Sequence, residues 1–234
     1  MYQNPQPVFE DLKTRYQDEY FSYELENEQN FFELMRLGLE DIQFSQWESS
    51  LRERGAFLDI GCATGMLLSY LKGRGWSVQG VEICEASARY GISHRKVPIF
   101  TGPIEEAPFP EGAFSFIHAS HLIEHLVDPV GFLDRVYALL GNGGMFVLVT
   151  PNRSGLQARL LRTRWRSCIP DHLHLFSKDS LTDLVQRRGF KVLRTQTWGG
   201  IAKGLAPVWI KRVLDRSAKK YGFGDVMLLQ LWKE

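Results

Sequence analysis

The sequence predicts an α/β protein with a doubly wound, seven-stranded, mostly parallel sheet and an N-terminal helical cap. From Ala56 onward, short apolar runs alternate with helical stretches, which is the pattern of βαβ units around a parallel sheet. A buried strand also runs directly into small residues and a helix, and the next strand ends in an acid. At 234 residues, the chain is long enough for one well-packed domain with a small cap.

The N-terminal cap is predicted from apolar and aromatic residues that recur at helical spacing. These residues are Phe9, Leu12, Tyr16, Tyr20, Phe31, Phe32, Met35, Leu39, Ile42 and Trp47. We therefore expect a helical cap over residues 1–54 and a second domain over residues 55–234.

Five strands of a parallel sheet are predicted near residues 56–60, 77–82, 97–101, 114–119 and 144–150. Pro98 falls in the third of these runs, and proline cannot donate to a sheet ladder. The third strand should therefore lie at a sheet edge, which is its place in the strand order 3-2-1-4-5.

Capping signals mark the helix before the fifth strand. Asp128 and Pro129 are typical of a helix cap and a first helical residue, and the glycine-rich segment 141–144 is predicted to end the helix before the strand. The C-terminal part predicts a helix near 178–188, a strand from Phe190, a helix near 207–220 and a strand at 225–232. The helix near 207–220 should bury Trp209 and Val213.

The composition excludes several kinds of partner. The chain has 28 Lys and Arg against 27 Asp and Glu, so its net charge is close to zero. Long-range electrostatic attraction therefore does not favour binding to nucleic acid or stable association with a membrane. Cys62, Cys84 and Cys168 form an odd set without a close pair, which favours reduced thiols. No signal peptide is evident at the N-terminus, and no apolar run approaches the roughly 18 residues of a membrane span. We expect a cytoplasmic protein.

The turn after the first strand is the strongest functional signal. Residues 57–65 read FLDIGCATG, in which Gly61 and Gly65 can adopt backbone conformations that a Cβ disfavours. The following helix offers free N–H groups and the positive end of its dipole. Glu82 ends the second strand, where a carboxylate can accept hydrogen bonds from both hydroxyls of a ribose. The pattern favours a nucleoside ligand over a tight turn without one.

This stretch resembles the class I S-adenosylmethionine-dependent methyltransferases over roughly residues 56–193. Residues 101–105 resemble the adenine-side loop of that family, residues 109–114 the turn into strand four, and residues 140–144 the glycine turn before strand five. The resemblance implies S-adenosylmethionine as the cofactor. It also implies the cofactor-binding residues Asp59, Gly61, Cys62, Ala63, Gly65, Glu82, Ile83, Gly102, Ile104 and Ala119.

Two residues depart from the family pattern. Ala63 replaces the middle glycine, and Pro103 stands where many relatives carry an acid that accepts the adenine amino group. A nicotinamide-dependent oxidoreductase is opposed by Ala63 and Met66, which break the dinucleotide-binding glycine pattern. A non-catalytic nucleoside-binding module of the same fold is opposed by the intact Asp59, Gly61, Gly65 and Glu82.

Histidines follow the fourth strand, at the end of the sheet where open α/β proteins bind ligands. If this segment is helical, His121, Glu124 and His125 share one face and could bind a metal ion. Their HxxEH sequence also matches a metalloprotease motif. The ubiquinone-pathway O-methyltransferases carry Glu-x-x-Glu-His here, linked to a divalent metal, but His121 replaces the first acid. We expect no metal and histidines that are satisfied by the backbone.

The candidate catalytic bases are His121, His172 and His174. Residues 171–176 resemble a segment that overhangs the active site in many relatives of the family. Histidine titrates near neutrality and can take a proton from an acceptor hydroxyl.

The segment between Asn152 and Pro170 contains five arginines and no acid. It is either a solvated helix face or a lid that presents guanidinium groups to a carboxylate, a phosphate or an acidic polymer. We predict an S-adenosylmethionine-dependent methyltransferase that acts on a small molecule, with an anionic acceptor as one option. Resemblance to the quinone-pathway enzymes favours oxygen as the acceptor atom.

Overall fold

The computed structural model describes residues 18–201, 204 and 207–234. The predicted helical positions Phe9, Leu12 and Tyr16 lie outside the described residues, as does the side chain of Tyr20. Among the described residues, no helix is both long enough and apolar enough to cross a bilayer.

The helices of the described residues are α1 (Asp18–Asp41), α2 (Phe44–Ser50), α3 (Met66–Gly73), α4 (Glu85–Tyr90), α5 (Pro129–Leu139), α6 (Leu156–Leu161), α7 (Lys178–Arg187) and α8 (Val208–Tyr221). The strands are β1 (Ala56–Ile60), β2 (Ser77–Glu82), β3 (Ile99–Thr101), β4 (Phe114–Ser120), β5 (Leu140–Pro151), β6 (Lys191–Trp198) and β7 (Val226–Trp232). Short helical turns occupy Gly91–Arg95, Ile104–Glu106, Ile123–His125 and Arg162–Arg164.

The seven strands form one sheet in the order β3-β2-β1-β4-β5-β7-β6. Strands β1 to β5 are parallel, and β7 runs antiparallel to both β5 and β6. This order confirms the predicted doubly wound fold and the position of the third strand at an edge. Pro98 precedes β3 and still accepts a hydrogen bond from the Gly80 N–H with its carbonyl, at 2.9 Å.

The two central strands bury side chains on both faces, because helices cover each side of the sheet. On one face, Leu58 and Ile117 pack against Phe132 of α5. On the other face, Phe57 and Phe116 pack against apolar residues of α1, α2 and α3, among them Leu39, Phe44 and Leu68. The predicted cap helices therefore share the core of the sheet.

Glu48 of α2 ties these N-terminal helices to the sheet. Its carboxylate is buried and accepts hydrogen bonds from the Arg74 guanidinium and, at 2.7 Å, from Trp76 Nε1. Burial alone would raise the pKa of Glu48, but the hydrogen bond and charge of Arg74 outweigh it and lower the pKa.

Two local predictions are wrong. The glycine-rich segment 141–144 lies inside β5, which begins at Leu140 and shifts its register against β4 there, so the strand starts before the glycines. In α8, Trp209 and Val213 are 69% and 54% exposed, where burial was expected. This helix packs on the edge strand β6 and buries Ala218 in its C-terminal half, which leaves the apolar side chains of its first half uncovered.

Candidate active site

The turn between β1 and α3 contains three residues in the left-handed conformation. They are Gly61 (φ 75°), Ala63 (φ 48°) and Gly65 (φ 73°). Glycine adopts this conformation without a steric penalty, whereas a non-glycine residue there is uncommon. A hydrogen bond from Gly65 N to Cys62 O closes the turn, and no side chain among the described residues caps the N-terminus of α3. The first-turn N–H groups of α3 therefore have no side-chain acceptor.

Glu82 points toward this turn from the end of β2. Its carboxylate accepts hydrogen bonds from Ala63 N and Cys84 N, each at 2.8 Å, and the residue is 5% exposed. Burial raises the pKa of Glu82 to about 7, and the negative charge of nearby Glu24 adds to the shift. The acid at the end of the second strand and the glycine turn are thus adjacent, as the sequence predicts.

Helix α1 covers this side of the site with carboxylates. Glu24 accepts a hydrogen bond from the Ser87 hydroxyl, and Glu28 accepts one from Thr64 Oγ1 at 2.9 Å. Phe31, one of the aromatic residues of the predicted cap, is instead 37% exposed. Sequence reasoning missed these acids, because their helical spacing alone does not tell which face meets the turn.

Asp59 lies below the turn, in the middle of the sheet. It stands directly opposite His118 in the register of β1 and β4, and His118 Nδ1 is 2.7 Å from Asp59 Oδ1. Both residues are buried. The carboxylate of Asp59 therefore supports the turn from inside the fold.

The other cofactor-side residues predicted from the sequence lie around the turn. Gly102 follows β3 with φ 146° and donates its N–H to Glu82 O at 2.9 Å, while Ile104 and Ala119 are buried in the core. The thiol of Cys62 is buried in the core, and burial raises its pKa. Ile83 follows Glu82 directly and is half-buried.

His121 follows β4 directly and is in the left-handed conformation, with φ 53°. Its N–H donates to Val149 O at 2.9 Å, and its Nδ1 lies 3.1 Å from Glu124 Oε1. The condition for a shared helical face of His121, Glu124 and His125 is not met, because this backbone conformation interrupts a helix and Ile123–His125 form a short 3₁₀ turn. The neighbouring Leu122 side chain lies over Gly61, so the β4 end touches the cofactor turn.

Glu124, His125 and His172 form a cluster in which one potential ligand atom from each residue lies within 4.8 Å of the others. His125 Nδ1 is 2.9 Å from Asp171 O, and His172 Nδ1 is 2.8 Å from Ser167 O. A carbonyl oxygen can only accept, so Nδ1 carries the proton in both rings and each Nε2 is an acceptor when the ring is neutral. These three residues could hold a divalent ion. No spacing pattern in the sequence predicts that His172 lies beside Glu124 and His125.

Burial and neighbouring charges set the ionisation of this cluster. Burial alone would raise the pKa of Glu124, but the hydrogen bond and charge of His121 outweigh it and lower the pKa. Burial lowers the pKa of His172, and the nearby His125 adds to that effect, which favours the neutral ring. His174 lies apart from the cluster, in a cleft with Phe176 and Leu184, and burial lowers its pKa as well.

The residues of the turn fit S-adenosylmethionine. The buried Glu82 carboxylate keeps lone pairs for the two ribose hydroxyls beyond those used by Ala63 N and Cys84 N. The small residues and the uncapped start of α3 leave N–H groups for a carboxylate. The sheet order and this turn together define an S-adenosylmethionine-dependent methyltransferase of class I.

Comparison with known proteins agrees with this class. Residues 31–195 match the family model of the methyltransferase domain. A "Probable S-adenosylmethionine-dependent methyltransferase" of Mycolicibacterium smegmatis is 28% identical over 58% of this chain and 51% of its own length. A ubiquinone biosynthesis O-methyltransferase of Bradyrhizobium diazoefficiens is 31% identical over 51% of each chain.

A solved structure shares the fold at low identity. A methyltransferase from Thermotoga maritima, described as a possible histamine N-methyltransferase, has a TM-score of 0.64 and 22% identity over 92% of this chain and 98% of its own. The chain spans about half the length of the curated relatives reported above. The chain belongs to the methyltransferase domain family, and its cofactor is S-adenosylmethionine.

Proposed function

We propose that this protein methylates an oxygen atom of a small-molecule acceptor, with Glu82 as the central cofactor ligand. The observation that carries the proposal is the buried Glu82 carboxylate, held against the small-residue turn by Ala63 N and Cys84 N. The similarity to ubiquinone biosynthesis O-methyltransferases supports oxygen as the acceptor atom. The balanced charge of the chain supports a small molecule over nucleic acid.

The proposed cofactor-binding residues act mainly by positioning. Glu82 orients the ribose, while the turn at Gly61, Ala63 and Gly65 allows the ligand to approach the backbone closely. Asp59 acts indirectly, through His118 and the turn above it. The remaining walls of the cofactor site are formed by Cys62, Ile83, Gly102, Ile104 and Ala119. When bound, S-adenosylmethionine supplies a methyl group on a sulfonium, which is already electrophilic. Holding the acceptor in line with that methyl group can contribute about 7–11 kcal/mol, so positioning dominates the rate.

A neutral histidine supports the choice of oxygen. His172 donates Nδ1–H to Ser167 O, which leaves its Nε2 to take the proton that an acceptor hydroxyl loses as its oxygen forms the new bond to carbon. His121 is the second candidate, because it stands at the β4 end beside the cofactor turn. His174 is the third, since it lies in a separate cleft. The free cysteines support the expected cytoplasmic setting.

The proposal is tested by single-turnover transfer of a tritiated methyl group from the cofactor to a panel of phenols, amines and carboxylates. We expect labelled phenol ethers, and a loss of roughly 10²- to 10⁴-fold in the variant that removes the base among His121→Gln, His172→Gln and His174→Gln. His94→Gln is the matched control, because His94 is exposed in the Gly91–Arg95 turn and is not part of the histidine cluster. Full activity in all three variants would end the base assignment. Cofactor binding without transfer to any acceptor would favour the non-catalytic module.

A further inference from the structure

A cavity of about 390 Å³ lies beside the histidine cluster, between α6, the Arg162–Arg164 turn and the start of α7. Three arginines line it, Arg153, Arg159 and Arg162, together with the hydroxyl-bearing Ser154 and Thr163. No acidic side chain lines the cavity in the part of the chain that the structure describes. The lining therefore offers hydrogen-bond donors and positive charge without a matching anion.

The three lining arginines form no ion pair with any described residue, and the surrounding segment between Asn152 and Pro170 contains no acid. Arg166, four residues after Arg162, shows the contrast, since its Nε lies 2.6 Å from Asp225 Oδ2. All three arginines are exposed, and an oxyanion bound among them would accept charge-assisted, often bidentate hydrogen bonds from their guanidinium groups. The charge pattern of the cavity thus favours a carboxylate or a phosphate.

Part of the cavity lining is apolar. Trp165 and Leu175 are buried there and pack with Ala158. The indole of Trp165 is held by a hydrogen bond from its Nε1 to Asp225, which fixes the ring below the arginines. A bare inorganic anion would leave this apolar part of the lining uncovered, whereas an aromatic or other apolar body would cover it.

The cavity and the histidine cluster share a wall. Cys168 lines the cavity, while the preceding Ser167 accepts the hydrogen bond from His172 Nδ1. Leu175 also lines the cavity, and its neighbour His174 donates its N–H to Glu124 O at 3.0 Å. The loop that lines the cavity therefore also holds the candidate base His172.

We propose that this cavity binds the anionic end of the acceptor, a small molecule with a carboxylate or phosphate on an apolar, preferably aromatic, body. The identity of this molecule as the acceptor rests on the proposed function, but the binding does not. This assignment favours the anion-binding interpretation of the arginine segment, because three of its arginines line one cavity.

Calorimetric titration of the full chain with four probes tests the ligand class. The probes are 2-naphthyl phosphate, 2-naphthoate, neutral 2-naphthol and inorganic phosphate. We expect the two naphthyl anions to bind at least tenfold more tightly than either 2-naphthol or inorganic phosphate, and their order tells phosphate from carboxylate. Equal binding of 2-naphthol and 2-naphthyl phosphate would overturn the proposal, and so would binding of inorganic phosphate as tight as that of the naphthyl anions.

Substitutions of single arginines test whether the naphthyl anions bind in this cavity. Arg159→Gln and Arg162→Gln should each weaken 2-naphthyl phosphate binding by about tenfold. Arg164→Gln is the matched control, since Arg164 belongs to the same turn, is exposed and does not line the cavity. A loss in Arg164→Gln equal to that in Arg162→Gln would overturn the proposal.

Titration of the same variants with S-adenosylmethionine separates this inference from the proposed function. We expect unchanged cofactor affinity in all three arginine variants, because none contacts the glycine turn. The tritium assay decides whether methyl transfer occurs, and the naphthyl titrations decide whether the cavity binds an anion. Failure of one assay therefore leaves the other conclusion standing.

Discussion

His118 and Asp59 face each other across β4 and β1, with His118 Nδ1 2.7 Å from Asp59 Oδ1. Both side chains are buried two residues below the glycine turn, so the pair links the two central strands where the ligand crevice begins. A carboxylate in this position needs a donor, because an unsatisfied buried charge is costly.

Removing His118 should therefore destabilise the fold. We expect His118→Ala to lower the free energy of unfolding by about 3–5 kcal/mol, because it leaves the Asp59 carboxylate buried and unpaired. His118→Gln, which keeps an N–H donor, should cost clearly less. Urea unfolding of both variants measures the difference. A loss below about 1 kcal/mol in His118→Ala would show that the pair does not support the turn.

Glu82→Gln should weaken cofactor binding. The amide replaces a charged acceptor by a neutral one opposite the ribose hydroxyls, so we expect S-adenosylmethionine affinity to fall roughly 10- to 100-fold. Titration calorimetry measures this loss. Glu85→Gln is the control, because the Glu85 side chain is 71% exposed just after the site. Equal affinity of wild type and Glu82→Gln would contradict the placement of the ribose.

Cofactor affinity should also depend on pH through Glu82. Burial and the charge of Glu24 raise the pKa of Glu82 to about 7, so the carboxylate needed for binding forms as the pH rises through about 7. We expect affinity to rise over the same range. Glu24→Gln removes the neighbouring charge and should move the midpoint to lower pH, whereas an unmoved midpoint would separate Glu24 from this effect.

Rising pH should have the opposite effect on the contribution of Glu82 to the stability of the fold. Because the pKa of Glu82 is higher in the folded protein than its ordinary value of 4.5, the folded state binds this proton more tightly than the unfolded state does. The contribution of Glu82 to stability should therefore decrease as the pH rises from about 4.5 to about 7. Unfolding of wild type and Glu82→Gln across this range measures the change, and parallel pH profiles would contradict it.

Glu48 should stabilise the protein above acidic pH. Arg74 lowers the pKa of Glu48 despite its burial, so its contribution is present above the ordinary value of 4.5 and is lost as the pH falls through the lower folded value. We expect Glu48→Gln to cost on the order of 1–3 kcal/mol at pH 7 and less in acid. Glu53→Gln is the exposed control. A cost independent of pH would contradict the role of the charge.

Methyl transfer should survive chelation of metals. Both oxygens of Glu124 already have partners, His121 Nδ1 at 3.1 Å and Thr150 Oγ1 at 2.8 Å, which compete with an ion at the cluster of Glu124, His125 and His172. We expect the tritium assay to give the same rate after dialysis against a chelator. A loss of activity that one equivalent of zinc restores in the wild type but not in His125→Gln would instead assign a metal to this cluster.

The sequence alone determined the features that depend on short stretches of chain. Apolar periodicity located the strands and helices, Pro98 indicated the edge strand, and Gly61 and Gly65 marked the turn, because each reflects local steric limits or hydrogen bonding. The acid at the end of β2 followed from the same reasoning, since parallel strands bring their carboxyl ends to one edge of the sheet.

Only the tertiary structure decided which distant side chains meet. The pairing of Asp59 with His118 depends on sheet register, the approach of Glu24 to Glu82 depends on the rotation of α1, and the arrival of His172 depends on the path of a loop. These contacts join residues far apart in the chain, whereas periodicity acts over a few residues. That difference in range is why the turn was predictable and the charges around it were not.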